Sequence, residues 1–337
     1  MDRIRWGLLS TANINKKLIP AIRSSARGEL TAVASRSATR AREYAASWKI
    51  PLWYGSYEEM LSSGEIDAVY LSLPNHLHAK WTIRALESGL HVLCEKPLAL
   101  TLEEVDAVAD ASRRTGNLAA EAFMYRHHPQ TKLIGDWIRE GRLGEIIQLR
   151  GMFDFYLGDK QRQPENLNIR LRPEYGGGSL WDVGVYPLSM AQYLMGAPPT
   201  WVFGMGQKGE TGVDESFSGI LGFGPPGEPG PTAQISCSFR APFRTSFEIS
   251  GTEGHLVNNR PFTNLDRSQK ILHFPEGGKP QKIKPPKKSL YLGEVEDFHR
   301  AVLESQAPAL SLEESRNHIR TALALYQSAE EGRIIRL

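Results

Sequence analysis

The chain has 337 residues, of which 41% are hydrophobic and 23% charged, with a formal net charge of +2. These are ordinary values for a soluble globular protein, and the length allows two domains. The small net charge gives no support to a nucleic-acid or anionic-membrane partner, and no apolar run is long enough to span a bilayer.

The N-terminus and the two cysteines bear on the cellular compartment. MDRIRWGLLS enters a strand pattern directly, without the apolar region and cleavage site of a signal peptide. Cys94 and Cys237 both lie in apolar, strand-like runs, which predicts buried thiols rather than a disulfide. We therefore expect a cytoplasmic protein.

Strands and helices alternate through residues 1–124. This pattern predicts an α/β domain with a doubly wound parallel sheet of the dinucleotide-binding (Rossmann) type. The predicted strands are 4–10, 30–37, 66–74, 91–97 and 117–124, and the predicted helices are 15–25, 38–48, 76–89 and 102–116.

The turn after the first strand is the expected phosphate-binding site. The fingerprint G-x-G-x-x-G/A would place glycines where Ser10, Ala12 and Asn15 stand, and Gly7 lies further back in the strand. Ser10 and Ala12 are small enough for close backbone approach, and the following helix would offer its N-terminus to a pyrophosphate. The context of strand, turn and helix therefore carries the prediction.

The end of the second strand distinguishes the two nicotinamide cofactors. NAD-specific sites place an Asp or Glu there, but this chain has Ser35, Arg36 and Ser37, with Arg40 one helical turn on. Positive charge suits a 2′-phosphate, so NADP(H) is predicted in preference to NAD(H). An exposed arginine at a helix start is the alternative.

Two histidines occur in PNHLH, residues 74–78. Their spacing could suggest a metal site, but no further ligand lies at a suitable spacing, so no metal is predicted. Pro74, Asn75 and His76 are expected to form a turn beside the nicotinamide half, and His78 is expected to be structural.

Lys96 follows the buried run HVLC at the carboxyl end of the fourth predicted strand. Ligands bind at that edge of an open α/β sheet, so Lys96 is a candidate for acid–base chemistry. The alternative is a solvated lysine paired with Glu95.

From residue 125 onward the pattern changes to strands joined by short Gly- or Pro-bearing turns. It predicts a second, α+β domain over 125–337 with an open, mostly antiparallel sheet. The predicted strands are 145–157, 199–206, 216–223, 232–239 and 246–252, the predicted helices are 131–144, 180–195, 293–305 and 312–332, and 275–289 is predicted to be a basic surface loop.

EYGGGSLWDVGVYPL, residues 174–188, is the second candidate site. Its glycines permit close approach of backbone to ligand, and Ser179 is expected to cap the helix that follows. Asp182 and Tyr186 are four residues apart, which places them on one helical face. A core tyrosine and a helix-start carboxylate are the alternative interpretation.

Taken together, these motifs resemble the Gfo/Idh/MocA family of oxidoreductases. The resemblance covers essentially the whole chain and rests on WGLLSTANI, SLPNHLHA, EKPLALT, EAFMYRHHP and GGGSLWDVGVYPL. It implies a nucleotide-binding domain, a second domain with an open sheet, a substrate cleft between them, and hydride transfer between a nicotinamide and a sugar or polyol. Tyr rather than His at position 186 matches the NADP-linked members.

The resemblance also assigns roles. Tyr186 would exchange a proton with the substrate oxygen, Lys96 would hold that oxygen and lower the tyrosine pKa, and Asp182 would orient a neighbouring hydroxyl. The expected substrate-binding residues are Tyr125, Arg126, His127 and Arg172. The expected cofactor-binding residues are Ser10, Thr11, Ala12, Asn13, Ile14, Ser35, Arg36, Ser37, Arg40, Leu73, Pro74, Asn75, His76, His78, Glu95 and Lys96.

Three alternative functions stay open at the level of sequence. One is an enzyme of the same family that oxidises trans-dihydrodiols, and another is a non-catalytic NADP(H)-binding sensor. The third is a sugar–sugar oxidoreductase that never releases its cofactor. A homo-oligomer, dimer or tetramer, is expected because the exposed face of such sheets commonly pairs.

Overall fold

The computed structural model describes residues 2–263 and 270–337, and the chain divides into two compact units. The first unit comprises Met1–His127 and Tyr291–Arg316, and the second comprises His128–Leu290 and Asn317–Leu337. The first boundary between the units falls after His127, whereas the sequence predicts a domain boundary after Met124. Segment 291–316, which the sequence analysis assigns to the second domain, belongs to the first unit.

The first unit contains a six-stranded parallel sheet with helices between its strands. Its strands run in the order β3-β2-β1-β4-β5-β6, and every neighbouring pair is parallel. This order, with a reversal beside β1, is that of a dinucleotide-binding fold, so the predicted fold class is confirmed. The strands are β1 Ile4–Leu9, β2 Gly28–Ala34, β3 Leu52–Tyr54, β4 Ala68–Leu71, β5 His91–Glu95 and β6 Ala119–Ala122. The helices are α1 Asn15–Ser24, α2 Ala38–Trp48, α3 Tyr57–Leu61, α4 His78–Glu87 and α5 Leu102–Thr115.

The second unit contains a nine-stranded sheet in the order β14-β13-β12-β11-β7-β10-β9-β8-β15. Its neighbouring strands are antiparallel except for the central pair β7 and β10, which confirms the mostly antiparallel prediction. The strands are β7 Ile146–Asp154, β8 Trp201–Lys208, β9 Asp214–Gly222, β10 Thr232–Ser238, β11 Arg244–Gly251, β12 Gly254–Asn258, β13 Ile271–Pro275, β14 Gln281–Ile283 and β15 Ile335–Arg336. The helices that precede β8 are α6 Pro129–Arg139 and α7 Val185–Met195.

Helix α7 lies on β7, and the sequence shows why the two can approach closely. Gly151 has no side chain, and a Cβ atom there would lie 2.7 Å from the Cβ of Pro187. Phe153 of β7 packs against the Tyr186 ring with a centroid distance of 5.4 Å. This contact fixes Tyr186 on the sheet side of its helix.

Two further helices follow β14, namely α8 Leu292–Leu303 and α9 Leu312–Glu331. Helix α8 belongs to the first unit because its apolar side packs on β1, where the rings of Trp6 and Phe298 are 4.8 Å apart. Among the helices of the described ranges, none combines the length and apolar character needed to cross a bilayer.

Candidate functional site

The turn after β1 is held by a hydrogen-bond network in place of the missing glycines. Ser10 has a φ of +143°, a backbone conformation that normally requires glycine. Asn15 donates to the Ser10 carbonyl at 2.8 Å, and the Ser72 hydroxyl donates to the Asn15 side-chain oxygen at 2.7 Å. The Ser10 hydroxyl lies 3.0 Å from the Ser72 carbonyl and accepts from the Ala12 backbone N–H at 3.1 Å. The three side chains thus fix a turn that the glycine fingerprint fixes in other proteins.

The N-terminus of α1 fits an anionic group. Ile14 precedes the helix and offers no side-chain cap, and the first turn carries no acidic residue. The backbone N–H groups of Asn15, Lys16 and Lys17 donate to the carbonyls of Ala12, Asn13 and Ile14, so the preceding turn lies directly at the positive end of the helix dipole, which favours negative charge. The turn residues 10–14 that the sequence predicts for the pyrophosphate all lie at this point.

Arg36 follows β2 and has the surroundings expected of a phosphate-binding arginine. Its side chain is exposed, and it interacts with the Tyr57 hydroxyl, where its charge lowers the tyrosine pKa against the dominant raising effect of burial. Ser37 is the N-cap of α2 and accepts from the backbone N–H of Arg40 at 3.3 Å. The Ser35 hydroxyl accepts from the Ser37 backbone N–H at 3.3 Å, so both serines shape the turn.

His78 joins the turn after β4 to the segment after β5. One ring nitrogen lies 2.6 Å from the Pro97 carbonyl and the other lies 2.7 Å from the Leu73 carbonyl. The ring is 1% exposed, and burial lowers its pKa to about 4. This geometry supports the structural role over direct cofactor contact, because both nitrogens face backbone oxygens. Pro74 is the N-cap of the 3₁₀ turn Asn75–Leu77, which includes His76 and precedes α4.

Lys96 is partly buried and lies directly after β5, as the sequence predicts. The carboxyl group of Glu121 on β6 is buried near it. Glu121 accepts from the Leu98 backbone N–H at 2.9 Å, and burial raises its pKa to about 7 while the positive charge of Lys96 opposes the rise. Lys96 therefore sits beside an acid that exchanges protons near neutral pH.

Two further acids, the partly buried Glu95 and the buried Glu294, lie near this strand end. The Tyr70 hydroxyl donates to Glu95, and the Glu294 side chain of α8 is 2% exposed. Burial, with a further contribution from the charge of Glu95, raises the Glu294 pKa well above its ordinary value. Neither Glu121 nor Glu294 is predicted from the sequence, because nothing in their local sequence indicates burial beside residues 95 and 96.

In the second unit, Asp182 is held by an arginine that the sequence analysis did not select. The Arg170 Nε donates to a carboxylate oxygen of Asp182 at 2.6 Å. Arg172, the predicted residue, contacts the Leu167 carbonyl and Glu174, each at 3.4 Å. The sequence contains both arginines in NIRLRPEYGGG, and the alternation alone gives no reason to choose between them.

The start of the helix after the glycines differs from the prediction. Residues Leu180–Gly184 form a π-helical turn before α7, and Ser179 makes no side-chain cap. Asp214 on β9 takes that role, accepting from the Leu180 backbone N–H at 2.8 Å and from the Ser179 hydroxyl at 2.6 Å. The predicted Ser179 cap is therefore wrong, because a carboxylate from a distant strand is the stronger acceptor.

Tyr186 is 7% exposed and lies among aromatic rings. Phe262 is 5.6 Å from its ring centroid, on the same side as Phe153. Because the side chain is buried, water screens a nearby charge only weakly there.

Three of the predicted substrate-binding residues, Tyr125, Arg126 and His127, lie in the first unit in a buried 3₁₀ turn. Arg126 forms an ion pair with Glu314 at 2.9 Å, and His127 lies 3.7 Å from Asp297. Arg172 belongs to the second unit. These contacts tie Arg126 and His127 to the 291–316 segment.

Parallel strands in the order of the first unit, with an uncapped helix N-terminus at the switch point, define a dinucleotide-binding protein. The family comparisons make this specific. Residues 4–123 match the model of the Gfo/Idh/MocA oxidoreductase family with an NAD-binding Rossmann fold, and residues 131–257 match that of the Gfo/Idh/MocA C-terminal domain. The chain belongs to the Gfo/Idh/MocA family of oxidoreductases, which confirms the prediction.

Similar proteins span nearly the full length of the chain. D-xylose 1-dehydrogenase (NADP(+)) 2 of Haloferax volcanii is 37% identical, covering 98% of this chain and 99% of that protein. 1,5-Anhydro-D-fructose reductase of Ensifer adhaerens is 31% identical, covering 97% of each. The crystal structure of KijD10, a 3-ketoreductase from Actinomadura kijaniata in complex with NADP and TDP-benzene, superimposes with a TM-score of 0.88 at 28% identity, covering 97% of this chain and 98% of that one.

Proposed function

We propose that this protein is an NADP(H)-dependent oxidoreductase that transfers a hydride between the nicotinamide and a hydroxyl- or carbonyl-bearing carbon of a sugar or polyol. The end-to-end similarity to an NADP-dependent xylose dehydrogenase is the observation that carries the proposal. Arg36, in the position where an NAD enzyme would have a carboxylate, supports the same cofactor independently.

The first unit supplies the proposed cofactor site. The turn at residues 10–14, at the positive end of the α1 dipole, would hold the pyrophosphate, and Arg36 would hold the 2′-phosphate, with Arg40 one turn further along α2. The turn that begins at Pro74 and the segment around Lys96 would lie toward the nicotinamide. When bound, NADP(H) supplies or accepts the hydride at C4 of its nicotinamide ring.

The proposed proton chemistry uses Lys96, Asp182 and Tyr186. Tyr186 would exchange a proton with the substrate oxygen, Lys96 would hold that oxygen, and Asp182 would orient a neighbouring hydroxyl. General acid–base catalysis of this kind contributes about 10²–10⁴-fold to the rate, and correct positioning of the substrate supplies much of the remainder.

The first test is a substrate panel followed by one substitution. Aldoses and polyols with NADP⁺, and ketosugars with NADPH, should give a change of absorbance at the nicotinamide band. Lys96→Met should lower turnover by about 10²–10⁴-fold and leave NADP(H) binding nearly unchanged. Lys80→Met, an exposed lysine on α4, is the matched control and should behave as the wild type. A Lys96→Met enzyme of normal turnover would remove Lys96 from the mechanism.

The same panel separates the rival functions. Oxidation of trans-dihydrodiols but not of sugars would indicate that the protein is a dihydrodiol dehydrogenase. Absence of turnover with every compound would favour an NADP(H)-binding sensor. Bound NADP in the purified protein, retained through turnover, would indicate a sugar–sugar oxidoreductase.

The open face of the second sheet supports a homo-oligomer. Its centre is apolar, with Met205 65% exposed and Ile220 37% exposed, and Arg150 and Glu248 both line the same groove. Charges of both signs on one patch allow it to pair with a second copy of itself. Sedimentation equilibrium measures the resulting dimer or tetramer. The two free, buried cysteines support a reducing, cytoplasmic location.

A further inference from the structure

The segment before the glycine motif is attached to it through the backbone. The Gly178 N–H donates to the Arg170 carbonyl at 2.9 Å, and the Gly177 N–H donates to the Arg172 carbonyl at 3.0 Å. A Cβ atom at Gly177 would lie 2.5 Å from the Arg170 carbonyl oxygen. Position 177 therefore requires glycine so that residue 170 can approach closely.

The Arg170 side chain makes a second attachment, one helical turn further along. Its Nε donates to Asp182 at 2.6 Å, and its guanidinium lies 5.9 Å from the ring centroid of Phe155. Backbone and side chain of one residue thus hold both the glycines and the carboxylate of the motif. Asp182 cannot turn away from this position without breaking the ion pair.

Arg170 also interacts with Tyr186. The negative charge of Asp182 raises the Arg170 pKa most strongly, burial opposes the rise, and an ionised Tyr186 adds a smaller increase. The interaction is reciprocal, so the guanidinium charge favours the phenolate form of Tyr186 by the same amount.

We propose that Arg170 is a positioning residue for hydride transfer, which fixes Asp182 in its orientation and stabilises the Tyr186 phenolate through its positive charge. This inference rests on the proposed function, in which Tyr186 exchanges the proton. The family resemblance implies that Lys96 lowers the Tyr186 pKa. The inference adds Arg170, a residue of the second unit, as a further positive charge with that effect.

The other charged and ionisable groups on the elements around Tyr186 do not replace Arg170. Asp182 lies in the preceding turn and is negative. Of the strands that contact α7, β10 carries Cys237, whose thiol pKa is raised by burial, and β7 carries Asp154, whose pKa is raised by burial against the opposing charge of Arg244. The exposed Arg244 on β11 is screened by water.

Helix α6, which also packs against α7, carries Arg139. Its hydrogen bonds join it to Asp136 on the same helix and to Tyr193, which lies two turns along α7 from Tyr186. Arg260, on the segment that carries Phe262, lies over the Phe243 ring at 5.6 Å from its centroid. The charge of Arg170, in contrast, is coupled to Tyr186.

The test is a titration of Tyr186 that does not depend on activity. Phenolate absorbance is measured against pH in the wild type and in Arg170→Gln, and the same curve for each protein carrying Tyr186→Phe is subtracted. The midpoint should rise in Arg170→Gln, because the positive charge that favours the phenolate is lost. Arg170→Lys should restore much of the shift because it keeps the charge.

Kinetics give a second readout. The pH profile of kcat/KM in the oxidation direction should move toward higher pH in Arg170→Gln by the same amount, so that activity is recovered at alkaline pH. Arg142→Gln is the matched control, because Arg142 is an exposed arginine of the second unit that pairs with Glu140 at 2.6 Å. Its titration curve and pH profile should be those of the wild type.

A double variant keeps the test decisive if Arg170→Gln does not fold. Arg170→Gln/Asp182→Asn leaves no unpaired carboxylate, and its Tyr186 midpoint should be higher than that of Asp182→Asn alone. Equal midpoints in the two proteins, or a uniform loss of activity in Arg170→Gln at every pH, would overturn the inference. If the wild type transfers no hydride to any sugar, the proposed function fails, but the absorbance titration still decides the role of Arg170.

Discussion

His299 joins helix α8 to the first strand of the nucleotide-binding unit, and its protonation should weaken that contact. The Trp6 indole N–H donates to the His299 Nε2 at 2.9 Å, and the Ser25 hydroxyl lies 3.0 Å from Nδ1. Nε2 must therefore be unprotonated, and Nδ1–H donates to Ser25. Burial, together with the positive charge of Arg27, lowers the His299 pKa from 6.5 to about 4.

The sign of the effect follows from proton binding. Between the two pKa values the unfolded chain holds a proton on His299 that the folded chain does not, so the free energy of unfolding decreases as the pH falls. The pKa difference corresponds to a loss of about 2 kcal/mol at pH 5 relative to neutral pH, approaching a limit of about 3.4 kcal/mol below pH 4.

The assay is urea unfolding at pH 7.5 and pH 5 for the wild type and for His299→Gln. Glutamine has an oxygen that can accept from Trp6 but does not titrate, so subtraction of the two pH dependences removes the other histidines, including His78. We expect the wild type to lose about 2 kcal/mol more than His299→Gln between these pH values. Equal losses would refute the assignment of a neutral, buried His299, whatever the absolute stabilities are.

Two further predictions concern the first unit. Ser10→Ala removes the hydrogen bonds of the hydroxyl but keeps the positive φ, whereas Ser10→Gly also relieves the backbone strain. Urea or thermal unfolding should therefore find the glycine variant more stable than the alanine variant by about 1–3 kcal/mol. Equal stabilities of the two variants would show that the backbone at residue 10 is not strained. Ionisation of Glu121 destabilises the folded protein, because its pKa is higher in the folded than in the unfolded chain. Between pH 5 and pH 8 the free energy of unfolding of Glu121→Gln should therefore rise by about 2.5 kcal/mol relative to that of the wild type. A difference between the two proteins that does not change with pH would show that Glu121 has an ordinary pKa.

The local sequence was sufficient for much of the fold. The alternation of short apolar runs with amphipathic segments predicts five of the six strands of the first sheet and the helices between them. The exceptions, β3 at Leu52–Tyr54 and α3 at Tyr57–Leu61, have three and five residues. Elements of this length contain too few residues for a period to be recognised.

In the second unit, strands β12 to β15 were not predicted. Leu256 is buried while its neighbours His255 and Val257 are partly exposed, so the alternation exists, but β12 has five residues and follows β11 after a two-residue turn. The predicted basic loop over 275–289 contains β14, whose three residues pair with β13. Strands as short as these owe their conformation to the strands beside them.

In the candidate site, too, some residues could be predicted from the local sequence and others could not. Lys96, Asp182 and Tyr186 were selected by residue type and motif, which act over a few positions of the chain. Arg170 was not selected, because its choice over Arg172 depends on which side chain reaches Asp182.

The amino-acid sequence by itself determined the family, the fold class, the preference for NADP(H) and the candidate motifs for the chemistry, since each motif consists of residues that are close together along the chain. The tertiary structure decided which distant groups meet them: Asn15 and Ser72 stabilise the Ser10 turn, Asp214 caps the helix after the glycines, and α8 joins the first unit. The physical reason is that hydrogen bonding and burial depend on distance in space. His299 and Trp6 are 293 residues apart in sequence but lie in hydrogen-bond contact, a relation that no local pattern contains.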